Sequence, residues 1–135
     1  MPRGRRHYRI SFDDALVAHE TALRHGGRVG ILNPGLVQSA IARPYSGYYR
    51  SIQRKAAALL HALARNHGFA DGNKRTCLLL VHLLLDRSGF TLHAPSLAQL
   101  NAELEQLIVD SAEGRKSVNE IAAWFEKRVR PRVSV

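Results

Sequence analysis

From Cys77 to Leu85 the chain is apolar at every position but His82, and charged residues bound the run on both sides, Arg75 before it and Asp86 after it. The run is far shorter than the ~18 residues that cross a bilayer. A helix with apolar side chains nearly all round is stable only where other elements cover it. The sequence therefore predicts a helix over about residues 73–87, closed by Gly89, in the middle of a helical bundle.

Helix start and stop signals recur on either side. Ser11 is expected to cap a first helix, with Asp13 and Asp14 in its first turn, where the positive helix end favours carboxylates. Phe12, Ala15, Leu16, Ala18, Ala22 and Leu23 follow at near-helical spacing until Gly26-Gly27. Asn33-Pro34 is a cap followed by proline at the first helical position. It opens an apolar stripe of Leu36, Val37, Ala40 and Ile41 that Pro44 is expected to stop. A third helix runs from Ser51 to Asn66, with Ile52, Ala56, Leu59, Leu60 and Leu63 inward and Gln53, Arg54 and Lys55 outward. Ser96 begins a fifth helix, with Leu97, Leu100, Leu104, Leu107 and Ile108 on one face and Gly114 at its end. Ser117 and Glu120 form a capping box for a sixth, carrying Ile121, Trp124 and Phe125 inward. Phe90–His93 reads as extended, with no second strand to pair with. The expected fold is all-α: a compact bundle of about six helices around a buried central helix, Cys77–Leu85. Residues 8–129 form one domain, between a basic N-terminal tail (1–7) and a basic C-terminal tail (130–135).

Bulk properties narrow the function. Twenty Lys and Arg against eleven Asp and Glu leave a net charge of +9. Such an excess points to an anionic partner: nucleic acid, nucleotide or acidic protein. Arg3, Arg5, Arg6 and Arg9 crowd one end, and Lys127, Arg128, Arg130 and Arg132 the other, where solvated tail is the simplest reading. A nucleic-acid-binding module is not favoured, because no helix offers an exposed set of base-reading side chains. The single cysteine, Cys77, excludes an intramolecular disulfide and points to a reducing compartment. The basic N-terminus has no apolar region behind it, so no secretory signal is read and the expected location is cytoplasmic, off the membrane. His61 and His82 lack a partner at metal-ligand spacing, and His19 and His25 are read as surface.

The chemistry lies in His67-Gly68-Phe69-Ala70-Asp71-Gly72-Asn73-Lys74-Arg75. A polar glycine turn opening onto a buried helix suits an anion, because the helix's first N–H groups are unpaired and its dipole is positive there. Lys74 and Arg75 add two charges suited to phosphate. His67 titrates in the range of a general base. Asp71 can hold Mg²⁺, which takes one or two carboxylates together with phosphate oxygens. Gly72 permits close backbone approach, and the Asn73 amide can position a phosphate oxygen. Thr76 can donate to phosphate or cap its own helix. The spacing is not that of a P-loop, and no strand precedes it.

This stretch resembles the Fic/Doc family signature, His-x-Phe-x-(Asp/Glu)-Gly-Asn-(Gly/Lys)-Arg. Similarity extends to Gly26-Gly27, to Gly30–Ala40, to Arg43-Pro44-Tyr45 and to Asp86–Phe90, and so covers about residues 8–128. Members of the Fic branch transfer AMP from ATP to a protein hydroxyl. They carry a second Gly after the Asn and a second Arg three positions beyond the first. Here Lys74 and Leu78 occupy those positions, as in the death-on-curing (Doc) branch, toxins of toxin–antitoxin pairs that phosphorylate elongation factor Tu. The resemblance implies ATP and Mg²⁺, with His67 as base, Asp71 at the metal or phosphate loop, and Gly72, Asn73, Lys74 and Arg75 on phosphates. It implies Tyr45, Ser46, Gly47 and Tyr48 as a flap that aligns the target chain. Gly72 stands where the Doc branch can carry Ala, which keeps AMP transfer open. The family's inhibitory Ser/Thr-x-x-x-Glu-(Gly/Asn) motif is not met: Glu113-Gly114 has Val109 four positions before the Glu. A separate cognate antitoxin is therefore implied, and the basic surface suits an acidic segment that folds on binding.

Overall fold

Five helices start at side-chain caps: Ser11, Asn33, Ser96 and Ser117 where the sequence places them, and Ser51, the first residue of the expected third helix. In the computed structural model, which describes residues 6–26, 33–66 and 73–133, Ser11 and Ser117 close full capping boxes with Asp14 and Glu120. Asn33, Ser51 and Ser96 each accept from a backbone N–H three residues on. The helices are α1 (Phe12–Ala22), α2 (Pro34–Ala42), α3 (Ile52–Ala64), α4 (Asn73–Arg87), α5 (Leu97–Ala112) and α6 (Val118–Arg128). The α2 helix ends at Ala42, as expected ahead of Pro44, which itself sits inside a following 3-10 turn, Arg43–Tyr45.

The central helix is α3, not α4. Five consecutive residues of α3, Ala56 to Leu60, are fully buried. At about 100° per residue they point in every direction around the axis. Their alanines let neighbours approach closely, and α2, α4, α5 and α6 all pack against α3. The buried positions of α4 are Thr76, Cys77, Leu80, Val81, Leu84 and Leu85, a one-sided stripe. Leu78, Leu79 and Leu83 on its other flanks are only half-buried. The all-round apolarity of Cys77–Leu85 overstated how much of α4 the fold covers.

Three inward assignments change. Leu36 and Leu97 are exposed, Leu97 at 71 %, because each sits in its helix's first turn, beyond the reach of the neighbouring helix. Trp124 is half-buried; its indole N–H donates to Glu103 at 2.8 Å instead of entering the core. One outward assignment also changes. His19, read as surface, is 4 % exposed and continues the inner stripe of α1 with Ala15, Ala18 and Ala22, since α1 lies on α4.

The extended segment after α4 does find a partner. Strand β1 (Phe90–Leu92) pairs antiparallel with β2 (Val129–Pro131), Thr91 facing Arg130. Hydrogen bonds from His93 to Arg128 and from Arg132 to Gly89 flank the pair. The expected boundary between residues 129 and 130 falls inside this strand. The flanking cations are engaged too: Arg132 pairs with Asp86, and Arg128 with Glu103 at 2.9 Å. Near the other end, Lys55 Nζ lies 2.7 Å from His7 Nδ1, and the Tyr8 N–H donates to Ser88 Oγ at 2.9 Å. No described helix is long and apolar enough to cross a membrane.

Phe125 is the largest of the fully buried side chains among the described residues. Phe125→Ala should cost about 3–5 kcal/mol, read as a lower urea midpoint. Glu103 tests the electrostatics. Hydrogen bonds from Gln99, then Trp124 and Arg128, hold its carboxyl below the ordinary range. A depressed carboxylate contributes stability above its unfolded pKa, and that stability is lost as pH falls through the lowered value. Wild type should therefore lose stability more steeply than Glu103→Gln below about pH 4.3; parallel acid limbs would contradict this.

Candidate active site

Helix α3 ends at Ala64 with Arg65 as its cap, and α4 begins at Asn73. His67, Asp71 and Gly72, the expected base, metal ligand and turn, lie in the segment 67–72, outside the described residues. What the fold does show is how the flanks of that segment are held. α3 and α4 pack together. Between them the Cys77 thiol donates to the Leu60 carbonyl at 3.6 Å. Burial pushes the Cys77 thiol far above its ordinary pKa, so it stays protonated and serves packing, not nucleophilic chemistry.

The first turn of α4 presents the expected cations. Asn73 is half-buried, while Lys74 and Arg75 are exposed. Arg75 Nη1 donates to the Ala22 carbonyl at 3.1 Å. That carbonyl ends α1, where a helix's negative pole favours a cation. Arg75 thus joins the start of the signature helix to the end of α1. Thr76 is buried, at 1 % exposure. Leu78, standing where Fic members have an arginine, packs against the core. Among the described residues no group of three His, Cys, Asp or Glu could hold a metal.

The tyrosine segment divides by function. The Tyr45 hydroxyl donates to the Tyr8 carbonyl at 2.7 Å and accepts from the Ile10 N–H at 2.9 Å. Arg9 lies over its ring, 5.0 Å from the centroid. Burial, first of all, raises the Tyr45 phenol above its ordinary value. Tyr45 therefore pins the N-terminal segment to the turn. Tyr49 is buried, and Tyr48 stands out at 74 % exposure, edge-on to it at 5.1 Å. The Arg54 guanidinium lies about 6 Å from both rings. Between Tyr45 and Tyr48, Gly47 adopts φ +91°, a conformation that disfavours other residues, with open space where a side chain would sit. Ser46, Gly47 and Tyr48 thus form an exposed turn whose base is fixed by Tyr45 and Tyr49. A cleft of about 500 Å³ beside them is lined by Arg43, Ser46, Tyr48 and Tyr49.

Residues 9–85 match the model of the Fic/DOC family. The chain belongs to the Fic/Doc family. It is 33 % identical over 118 residues to the protein kinase Doc of Escherichia phage P1, covering 84 % of this chain and 89 % of that one. It is 39 % identical over 87 residues to the toxin Doc of Mycolicibacterium smegmatis, spanning 61 % of this chain and 65 % of that relative's length, just under two thirds. The matched span of the family model runs from the segment that Tyr45 pins, through the exposed turn, to the last buried residues of α4.

The residues alone gave His61 no ligand role and did not single out Arg65. His61 and Arg65 line a second cleft together with Arg43. The spacing of His61 and Arg65, four apart on one helix, was visible. Their meeting with Arg43, eighteen residues before His61, depends on how α2 lies against α3.

Tyr45→Phe should cost about 1–3 kcal/mol, because it leaves the Ile10 N–H without its acceptor in a half-buried place. An unchanged thermal midpoint would show that Tyr45 does not pin the segment.

Proposed function

We propose that the protein is the toxin of a toxin–antitoxin pair, transferring the γ-phosphoryl group of ATP to a hydroxyl of a translation factor of the elongation factor Tu type and so halting protein synthesis. The observation that carries this reading is the Lys74 and Leu78 pair on α4, in a chain similar over most of its length to the phage P1 protein kinase Doc. A lysine at position 74 fills space that a second glycine would leave to a diphosphate, and leucine at 78 removes a cation. Nucleotide should then lie with its γ-phosphoryl group toward His67.

In this mechanism His67 takes the proton from the target hydroxyl, whose oxygen attacks the γ-phosphorus as ADP leaves. Gly72, Asn73, Lys74 and Arg75 bind phosphates, and the cations offset charge on the transferring group. Asp71 would hold Mg²⁺, which neutralises phosphate charge and orients the oxygens. Ser46, Gly47 and Tyr48 align the target chain. The exposure of this turn and of Lys74 supports both assignments. A separate antitoxin holds the protein in check.

AMP transfer is the second reading, favoured by Gly72 in the turn. ATP labelled on the α or the γ phosphate separates the two: label should pass from γ only, and transfer from α alone would sink the kinase reading. His67→Ala should abolish both label transfer and toxicity on expression. A His67→Ala chain that still arrests growth would remove His67 from its assigned role.

A further inference from the structure

The end of α3 and the turn after α2 enclose a small cationic cleft that no step of the phosphoryl transfer uses. Its volume is about 230 Å³, and Ser39, Arg43, His61, Arg65 and Asn66 line it. Asn66 holds the two elements together by donating its side-chain N–H to the Leu36 carbonyl at 2.7 Å. Arg65 Nη1 donates to the Ser111 carbonyl at 3.2 Å, which fixes the guanidinium against α5. Neither Arg43 nor Arg65 has an ion-pair partner among the described residues, and no described residue of the lining is acidic. His61 is half-buried; burial, then Arg65, then Arg43 lower its pKa, so the ring is neutral near pH 7.

Two cations with no carboxylate partner among the described residues suit an anion, and size limits which one. The cleft is below the roughly 300–1,000 Å³ of sites that take a whole small-molecule ligand, but it accommodates one carboxylate. Its position gives the source. Arg43 lines both this cleft and the one formed by Ser46, Tyr48 and Tyr49. A peptide laid along the exposed turn therefore passes the cationic cleft within a few residues, at about 3.3 Å each.

We propose that Arg43, His61 and Arg65 form a specificity subsite that receives an aspartate or glutamate side chain of the protein substrate, a few residues from the hydroxyl that is modified. The inference rests on the reading of the chain as an enzyme acting on a protein hydroxyl. Arg43 and Arg65 bind the carboxylate, with His61 beside them in the lining of the cleft. Such a contact selects acidic sequences around the target hydroxyl, because a neutral side chain would bring no charge to either guanidinium group.

The test uses the full chain and fluorescent peptides holding one threonine, with a single aspartate walked from three residues before it to three after. Asparagine replaces that aspartate in the controls. At one or two positions the aspartate peptide should bind about tenfold more tightly, equivalent to ~1.4 kcal/mol. Arg43→Ala should erase that preference and Arg43→Glu should shift it to a lysine peptide. Arg50→Ala, which removes an exposed cation outside the cleft, should keep it. The His61 imidazole, followed by NMR, should titrate at higher pH when the aspartate peptide is bound. Equal affinity for aspartate and asparagine peptides at every position would overturn the proposal. So would an Arg50→Ala loss as large as that of Arg43→Ala, which would mark a general field of the basic surface. ATP or inorganic phosphate moving the His61 resonance as the peptide does would overturn it as well, in favour of a nucleotide subsite. Binding is read without turnover, so a chain that prefers aspartate but transfers no label keeps the subsite and loses the transferase reading.

Discussion

The buried turn Ala56–Leu60 of α3 is what the other helices pack around. Three consecutive alanines remove the bulk that would otherwise hold neighbours apart, and Leu59 and Leu60 fill the gaps between them. Because α3 is covered on all sides, its last turn is held by several elements at once: Asn66 reaches α2, Arg65 reaches the end of α5, and Leu60 accepts from Cys77 of α4. The segment that carries the family signature thus leaves one rigid helix and enters another.

Residues expected to serve chemistry also serve architecture. Arg75 binds the last carbonyl of α1 while sitting in the first turn of the signature helix. Tyr45, expected in the target flap, spends its hydroxyl on the backbone of Tyr8 and Ile10. This leaves Ser46, Gly47 and Tyr48 as the exposed part of that segment. Both ends of this short turn with its left-handed glycine are anchored by aromatic side chains, Tyr45 before it and Tyr49 after it.

Much of the fold was legible because helix ends are local chemistry. A serine or asparagine before an apolar period accepts a backbone N–H a few residues away, and nothing distant can change that. The signature was legible for the same reason, being nine consecutive residues. Errors arose where burial depends on a partner. Leu97 and Leu36 have the right period but lie in first turns that no neighbour covers. His19 looks polar yet lies on the face that meets α4. Phe90–Leu92 was extended by its residues, but its partner is forty residues further along, and no local signal at Val129–Pro131 announced it.

The sequence by itself determined the helices, their caps and the family signature between residues 67 and 75, since each depends on groups only a few positions apart. Tertiary structure alone decided that α3 and not α4 is the central helix, because coverage is set by which neighbours fit close, and alanine rather than leucine permits that. It alone brought Arg43 to His61 and Arg65, and gave the basic C-terminal residues a strand and carboxylate partners. These are contacts between distant segments, and their energy exists only once the chain has closed on itself.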